Sequence, residues 1–260
     1  MLCAIRQRDN KKALAPDESK SNSPFVCPRC AAEVILKKGS VKTHHFAHWP
    51  PVLCEYGQGE TEEHRKCKLA IYEGLTKFSR FQDVQIEKDL GTVRPDVSAF
   101  MDGIQIAIEV QISTLTMDQI ICRTTEYLKK GIFVLWLAAY DQRLQSDRYS
   151  PKLWERWVHA AYFGRVYYWV GGLDVIPYHF SDCHHYVESR SWFTKDGDER
   201  FGGGYDKKYK RFKTLENGTV VSLSDSFVPK YRKIPWQSKV LTVPESRLLI
   251  DTQPVWWQNG

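Results

Sequence analysis

Residues 93–113 read VRPDVSAFMDGIQIAIEVQIS, and this stretch decides the fold. Asp102–Gly103 is typical of a tight β-hairpin turn and lies between two apolar segments. We therefore predict one strand over 93–103, ending in the turn, and another over 104–113. In the second strand the even-numbered residues are apolar. The opposite face then carries Gln105, Ala107, Glu109 and Gln111.

Helical periodicity flanks the hairpin on both sides. Residues 60–78 carry apolar side chains at spacings of three, which suits a helix with one buried face. Thr61 could cap its start, or Glu60 could lie in its first turn. Residues 116–131 predict a second helix, which Gly131 would end.

Two further strands complete a core of α/β (α+β) class. The sequence predicts a strand over 84–90 and another over 132–139, where a continuous apolar run indicates burial on both faces. The order is then helix, three strands, helix, strand. We divide the chain into a strand and linker (1–24), a Cys/His segment (25–55), the core (59–140) and an aromatic and basic C-terminal region (141–260).

Composition excludes several classes of protein. The chain is 42% hydrophobic with nine Trp, which argues against disorder. No apolar run approaches the roughly 20 residues of a membrane helix, and the first residues lack the apolar core of a signal peptide. A cytoplasmic protein without a membrane partner is therefore expected. Its seven Cys then indicate metal ligands or free thiols rather than disulfides.

Positive charge is concentrated in residues 200–233. They hold nine Lys or Arg against three acids, which equals the net charge of +6 of the whole chain. Such a stretch favours a polyanionic partner. The alternative is a solvated loop that keeps the protein soluble.

The Cys/His segment has the spacing of a zinc site. Cys27 and Cys30 form a C-x-x-C turn, and His45 and His48 form an H-x-x-H pair. Two thiolates and two imidazoles suit a structural, tetrahedral Zn²⁺ site with no open position for catalysis. His44 could replace His45, and Cys54 lies close enough in sequence to substitute as a ligand.

Asp96 and Glu109 are candidate ligands of a second metal. If the hairpin forms through Asp102–Gly103, the two carboxylates lie near each other on one face of the sheet. Neighbouring buried carboxylates repel each other unless a cation is present, and Mg²⁺ is bound by few carboxylates together with water and phosphate. The alternative places Glu109 on an exposed face beside Gln105 and Gln111.

Two further acids, Glu60 and Glu87, fit the same site. Glu60, His64 and Lys68 recur every four residues and form a stripe along the first helix. Glu87 lies on the strand before Asp96. The alternative for the stripe is a solvated, charged helix face, which is the usual case.

Four segments, taken together, resemble a known family. GETEEHRKCK (59–68), VRPDV (93–97), AIEVQIS (107–113) and CRTTEYLKKGIFVLWLA (122–138) are similar to the competence protein CoiA-like family. FVCPRC and HHFAH resemble that family's N-terminal zinc segment. The resemblance covers roughly residues 25–140, since beyond that it is weak. It implies a PD-(D/E)xK restriction-endonuclease-like core, αβββαβ, with a zinc segment before it and a mixed extension after it.

The resemblance also assigns roles to residues. The superfamily aspartate falls on Asp96 and its second acid on Glu109. Gln111 falls where the superfamily usually has lysine, although the CoiA-like family has glutamine there too. Glutamine can orient water only by hydrogen bonds. The missing positive charge would then come from a second metal or from Lys68 or Arg123, or be absent.

The helices supply the remaining residues that the resemblance implies. The first-helix acid falls on Glu60, with His64 and Lys68 beside it. Arg123 and Tyr127, one turn apart on the second helix, would face the site.

The main functional hypothesis is a Mg²⁺- or Mn²⁺-dependent deoxyribonuclease in DNA uptake, recombination or mobile-element biology. The residues predicted to hold the nucleic acid are Arg123, Tyr127, Lys207, Lys208, Lys210, Arg211 and Lys213. One alternative is a zinc-containing DNA-binding module with a degenerate site. Another is an adaptor that recruits recombination proteins. We do not predict a second zinc site at Cys183-His184-His185, because a tripeptide alone cannot form a tetrahedral site.

Overall fold

The computed structural model describes residues 1–51, 53–111 and 115–258. In these ranges the protein is a mixed α+β structure with more strand than helix. A five-stranded sheet, a ten-stranded sheet and two small hairpins contain the strands. None of the helices in the described part of the chain is long and apolar enough to span a membrane.

The five-stranded sheet is antiparallel, with the order β2-β1-β3-β4-β5. Residues 1–24 were expected to form one strand and a loose linker. They instead form two strands and a short 3-10 turn at Lys20–Asn22, and both strands join the sheet of the Cys/His segment. The strands are β1 (Cys3–Arg6), β2 (Lys11–Leu14), β3 (Phe25–Val26), β4 (Glu33–Lys37) and β5 (His45–His48).

The next six elements follow the predicted order of helix, three strands, helix and strand. β6, β7 and β8 are antiparallel neighbours, and β9 lies parallel to β8. The elements are α1 (Glu62–Leu75), β6 (Phe81–Ile86), β7 (Val97–Met101), β8 (Ile104–Gln111), α2 (Met117–Lys129) and β9 (Phe133–Ala139).

The hairpin is confirmed, with Met101 paired to Ile104 across a tight turn. Asp102 and Gly103 have φ values of 51° and 81°, the left-handed conformation that this turn requires. β7 begins only after Pro95, which has no N–H to donate to a neighbouring strand. The predicted end of the second strand, at residues 112 and 113, lies outside the described residues.

The predicted bounds of the preceding strand, 84–90, are wrong. β6 begins three residues earlier and ends at Ile86, because Glu87 adopts a left-handed φ of 50°. α1 is shorter than the predicted 60–78, and Glu60 lies before its first turn. Thr61 caps α1 and Thr116 caps α2, each by accepting a backbone hydrogen bond, and Gly131 follows α2 with a φ of 74°.

The rest of the chain extends the large sheet on the other side of β9. Its main path is β14-β11-β10-β9-β8-β7-β6, and β19 pairs with β9 and β16. Residues 153–172 form a helix and a strand. The elements are α3 (Leu153–Ala161), β10 (Val166–Gly171), β11 (Asp174–Val187), β12 (Arg190–Phe193), β13 (Glu199–Gly202), β14 (Tyr205–Asn217), β15 (Val221–Ser222), β16 (Phe227–Arg232), β17 (Trp236–Gln237), β18 (Thr242–Val243) and β19 (Ser246–Asp251).

β9 lies at the centre of the hydrophobic core, as its apolar run predicts. Trp136 and Leu137 are buried on it, and Trp157 and Tyr162 pack from the α3 side. The Tyr162 hydroxyl donates to the carbonyl of Val134 at 2.8 Å. The core therefore fixes the position of β8, which is the neighbour of β9 and carries Glu109.

Candidate functional site

Asp96 and Glu109 lie next to each other across the hairpin. Val97 pairs with Ile108, so the antiparallel register places Asp96 opposite Glu109 at the open end of β7. The Val110 N–H donates to Asp96 Oδ2 at 2.9 Å, which holds the end of one strand against the other. This is the juxtaposition that the sequence predicts.

Asp96 is surrounded by positive charge from α1. His64 Nε2 lies 3.1 Å from Asp96 Oδ2, and Lys68 Nζ lies 3.6 Å from Asp96 Oδ1. Burial alone would raise the pKa of Asp96, but the charges of His64 and Lys68 outweigh it and lower the pKa below its usual value. Asp96 is therefore ionised across the physiological range.

Glu109 is only 1% exposed, so the alternative of an exposed sheet face is wrong. Arg123 and the Tyr127 hydroxyl both donate short hydrogen bonds to its Oε1 atom. Its Oε2 atom is buried and has no hydrogen-bond partner in the described structure. Burial raises the pKa of Glu109 to about 7; Arg123 opposes this rise, and the Asp96 charge adds to it.

The stripe on α1 is not a solvated face. The Lys68 side chain is 3% exposed, and its ammonium contacts Glu60 Oε1 and Glu87 Oε1, the latter at 2.5 Å. Burial opposes the charged form of Lys68, but Glu87, Asp96 and Glu60 raise its pKa above the usual value. A fixed positive charge therefore lies among three carboxylates.

Glu87 joins the N-terminal sheet to this site. Its carboxylate accepts hydrogen bonds from the backbone N–H groups of Leu2 and Cys3, at 3.3 and 3.1 Å, and from the Tyr56 hydroxyl at 2.5 Å. Sequence reasoning missed Tyr56. It also missed Arg94, whose guanidinium lies 4.5 Å from the centre of the Tyr56 ring, although Arg94 stands two residues before Asp96.

These side chains surround one cleft of about 290 Å³. Gln111 lines it and is 6% exposed. Glu109 and Tyr127 lie behind the wall rather than in it, and the fully buried Tyr127 supports Glu109 instead of facing a nucleic-acid strand. The lining includes Tyr56, Glu60, His64, Lys68, Glu87, Arg94, Asp96, Gln111 and Arg123.

A second cluster lies in the N-terminal sheet. The ligand atoms of Cys27, Cys30, His48 and Cys54 lie within 4.8 Å of one another, so they could hold one zinc ion. Cys30 Sγ is 3.4 Å from His48 Nε2, and Cys27 Sγ is 4.0 Å from Cys54 Sγ. The backbone N–H groups of Arg29 and Tyr56 point at sulfurs of this cluster, an arrangement that stabilises thiolates.

The fourth member of this cluster is Cys54, the alternative left open by the sequence, and not His45. His45 Nδ1 lies 2.8 Å from the carbonyl of Thr43. The spacing of the H-x-x-H pair explains the difference. His45 and His48 are three residues apart on a strand, and side chains at odd separations point to opposite faces. Cys183, His184 and His185 belong to no such cluster in the described part of the chain.

The basic stretch 200–233 does not form one surface. Arg232 on β16 donates to the carbonyls of Ala160 and Ala161 at the end of α3, which is a structural contact. Lys207, Lys208, Lys210, Arg211 and Lys213 lie on β14, and Lys208 and Lys213 both pair with Asp182. β14 is four strands away from β8, about 19 Å at ~4.8 Å per strand.

Two family models match successive parts of the chain. "Competence protein CoiA, N-terminal domain" matches residues 7–57, and "Competence protein CoiA, nuclease-like domain" matches residues 60–161. Together they cover more than half of the 260 residues. The chain belongs to the CoiA-like family.

A curated relative supports the same assignment. The CoiA-like chain is 31% identical over 121 residues to Competence protein CoiA of Bacillus subtilis (strain 168). The match covers 45% of this chain and 32% of that protein, so the chain spans about a third of the length of this relative. No solved structure matches the CoiA-like chain.

Proposed function

We propose that this protein is a metal-dependent nuclease that hydrolyses DNA phosphodiester bonds in DNA uptake, recombination or mobile-element biology. One observation carries the proposal: Asp96, which lines a cleft together with Lys68 and Arg123, is paired across the hairpin with Glu109, which lies behind the wall of that cleft. The name of the matching nuclease-like domain and the competence protein named among its relatives support the same activity. The core order supports a PD-(D/E)xK fold.

The two carboxylates fit a divalent metal ion. One oxygen of each carboxylate already contacts a basic side chain: Asp96 Oδ2 contacts His64, and Glu109 Oε1 accepts a hydrogen bond from Arg123. Glu109 Oε2 is buried without a partner, and Asp96 Oδ1 is beyond hydrogen-bond distance of Lys68. Mg²⁺ or Mn²⁺ could be bound by these two oxygens and otherwise by water and phosphate. Such an ion would polarise the phosphate and lower the pKa of an attacking water.

Three side chains of the protein, Lys68, Arg123 and Gln111, would assist the metal ion. The glutamates hold Lys68 in place, so its ammonium is preorganised to stabilise negative charge near Asp96. Arg123 lines the cleft from α2 and can supply a second positive charge. Gln111 lines it where the superfamily has lysine, and its amide could orient water by hydrogen bonds.

We propose a structural role for the other metal site. Four protein ligands, Cys27, Cys30, His48 and Cys54, would complete a tetrahedral Zn²⁺ coordination and leave no position for substrate. Zinc would then stabilise the short loops around β3, β4 and β5. These strands bury only a small core of their own around Phe25 and Phe46.

One observation favours a second candidate, a DNA-binding or adaptor protein without catalysis. The carboxylates of the cleft are already matched by positive charges: Lys68 lies among Glu60, Glu87 and Asp96, and Arg123 contacts Glu109. A site neutralised in this way is stable without a metal. In this case Mg²⁺ would change neither DNA integrity nor DNA binding.

The deciding experiment compares wild type with Asp96→Ala on single- and double-stranded DNA, in Mg²⁺, Mn²⁺ or EDTA. We expect cleavage by the wild type in either metal, loss of at least a hundredfold in the variant, and unchanged zinc content. Asp83→Asn, an exposed acid on β6, is the control and should cleave normally. Metal-dependent cleavage by purified Asp96→Ala at the wild-type rate would rule out this active site.

A further inference from the structure

β11 and β14 continue beyond the rest of the large sheet as a two-stranded ribbon. β11 pairs with β10 only as far as Tyr178, and beyond that it pairs with β14 alone. The register His184↔Lys208 continues without a slip to Phe193↔Glu199 in the β12–β13 hairpin. We call residues 184–208 the β-arm. Its ten residues from 184 to 193 span about 30 Å.

A break in the strands divides the β-arm into an inner and an outer half, at residues 188–189 and 203–204. Gly203 and Gly204 have φ values of 90° and 74°. A Cβ atom at Gly203 would lie 1.9 Å from the carbonyl oxygen of Glu188, so only glycine fits there. The break is therefore built into the sequence.

One face of the outer half carries an aromatic platform between two cations. Trp192 lies directly opposite Arg200, and Arg190 is two residues from Trp192 on the same face. Gly202 lies opposite Arg190, and a Cβ atom there would come 3.1 Å from the Trp192 ring. The missing side chain lets the indole lie over the ribbon with 50% of its surface exposed.

The other face of the outer half has a different character. Phe193 and Phe201 are 71% and 73% exposed there, and Glu199 lies opposite Phe193. The turn beyond carries Lys195, Asp196 and Asp198, and the Asp198 carboxylate lies 4.0 Å from the guanidinium of Arg200. Glu199 disfavours phosphates on the Phe193 face, whereas Arg190 and Arg200 favour them on the Trp192 face.

We propose that the Trp192 face of the β-arm binds single-stranded nucleic acid. An unpaired base would stack on the indole, and Arg190 and Arg200 would neutralise the flanking phosphates. A duplex keeps its base faces stacked inside, so it cannot use the platform. This inference deepens the proposed function, on which it rests for the substrate class, by assigning the surface that holds an unpaired strand outside the cleft.

The test measures binding in EDTA by the full-length protein, with labelled unstructured DNA and RNA oligonucleotides and a DNA duplex. Trp192→Ala should weaken binding of the single strands roughly fivefold to a hundredfold. Arg190→Gln with Arg200→Gln should lower the slope of affinity against salt by up to about 1.4, at ~0.7 per phosphate. The matched control, Phe193→Ser with Phe201→Ser on the opposite face, should bind like wild type.

Because EDTA removes cleavage from the measurement, the β-arm and the nuclease can fail separately. If the wild type shows no metal-dependent cleavage but the Trp192 and arginine variants still bind single strands as predicted, only the proposed nuclease activity is wrong. Two results would overturn the role of the β-arm. One is wild-type affinity in both the Trp192 and the arginine variants. The other is an equal loss in the Phe variant, which would show that nucleic-acid binding does not depend on the Trp192 face. Circular dichroism verifies the fold of each variant.

Discussion

Lys68 is the residue on which the charge balance of the cleft depends. It brings one positive charge to Glu60, Glu87 and Asp96 in a place that water scarcely reaches. Buried carboxylates without a cation repel one another and lose hydration that nothing replaces. Lys68 therefore has a structural role whether or not the site is catalytic.

Replacing Lys68 by methionine should cost about 3–5 kcal/mol of unfolding free energy, because it leaves buried Glu87 without an ion-pair partner in the described structure. Glu60 keeps its contact with the Met1 ammonium at 2.6 Å, and Asp96 keeps His64. Urea denaturation at neutral pH measures this loss. Lys66→Met, at an exposed position of the same helix, should change stability by less than about 0.5 kcal/mol. Equal stability of the two variants would mean that the carboxylates are neutral or hydrated, contrary to the contacts described.

At the scale of single residues, the sequence predicts that Asp96 and Glu109 are neighbours, but it does not predict the distant partners of the charged groups. Period-two alternation and the turn residues are enough to place Asp96 beside Glu109. The contact between Glu87 and the backbone of β1 joins residues more than 80 positions apart. No local pattern encodes such a contact, and Tyr56 was missed for the same reason, since its partner Glu87 is 31 positions away.

Among the elements, α3 and β11 meet through a histidine that must remain neutral. His159 Nε2 accepts a hydrogen bond from the Phe180 N–H at 3.1 Å, and its ring stacks on the Phe180 ring. His179 Nδ1 lies 3.1 Å from the same nitrogen. Burial, together with the charges of His179 and Lys213, lowers the pKa of His159 to about 3.

This geometry predicts acid sensitivity at the junction of α3 and β11. An unfolded histidine binds a proton near pH 6.5, whereas folded His159 does so only near pH 3. The unfolded state therefore binds more protons below pH 6.5, and stability falls as the pH is lowered from about 6.5 toward 3. In thermal melts across this range, His159→Gln should have a smaller acid-induced fall in Tm, since its amide oxygen can accept the same bond without titrating. An identical pH profile for wild type and variant would contradict this assignment.

Predictability from sequence differs among the elements for physical reasons. The hairpin, α1, α2 and β9 have strong local signals, namely a turn pair, helix caps and a continuous apolar run. β6 was misplaced because its end depends on the left-handed Glu87, which is fixed by distant partners. The β-arm was predicted only as part of an aromatic and basic C-terminal region. Its strands pair with each other and bury little, so hydrophobic alternation is weak there.

At the scale of the whole molecule, the N-terminal sheet and the cleft form one connected structure. Cys54 belongs to the Cys/His cluster, and Tyr56, two residues later, donates to Glu87 in the cleft. Glu87 in turn holds Lys68. A metal ion bound at the cluster would fix Cys54 and, through this short connection, the position of Tyr56.

Removal of zinc should therefore loosen the cleft as well as the N-terminal sheet. We expect one zinc per chain by mass spectrometry, and its loss from Cys54→Ser but not from His45→Gln, because His45 faces Thr43 rather than the cluster. In the zinc-free protein, hydrogen exchange should rise in β3 to β5 and also around Tyr56 and Lys68, while β9 stays protected. Zinc loss from His45→Gln with full retention in Cys54→Ser would show that the H-x-x-H pair binds the ion. Unchanged hydrogen exchange near Tyr56 after zinc removal would show that the two sites are independent, although Cys54 and Tyr56 are only two positions apart in the sequence.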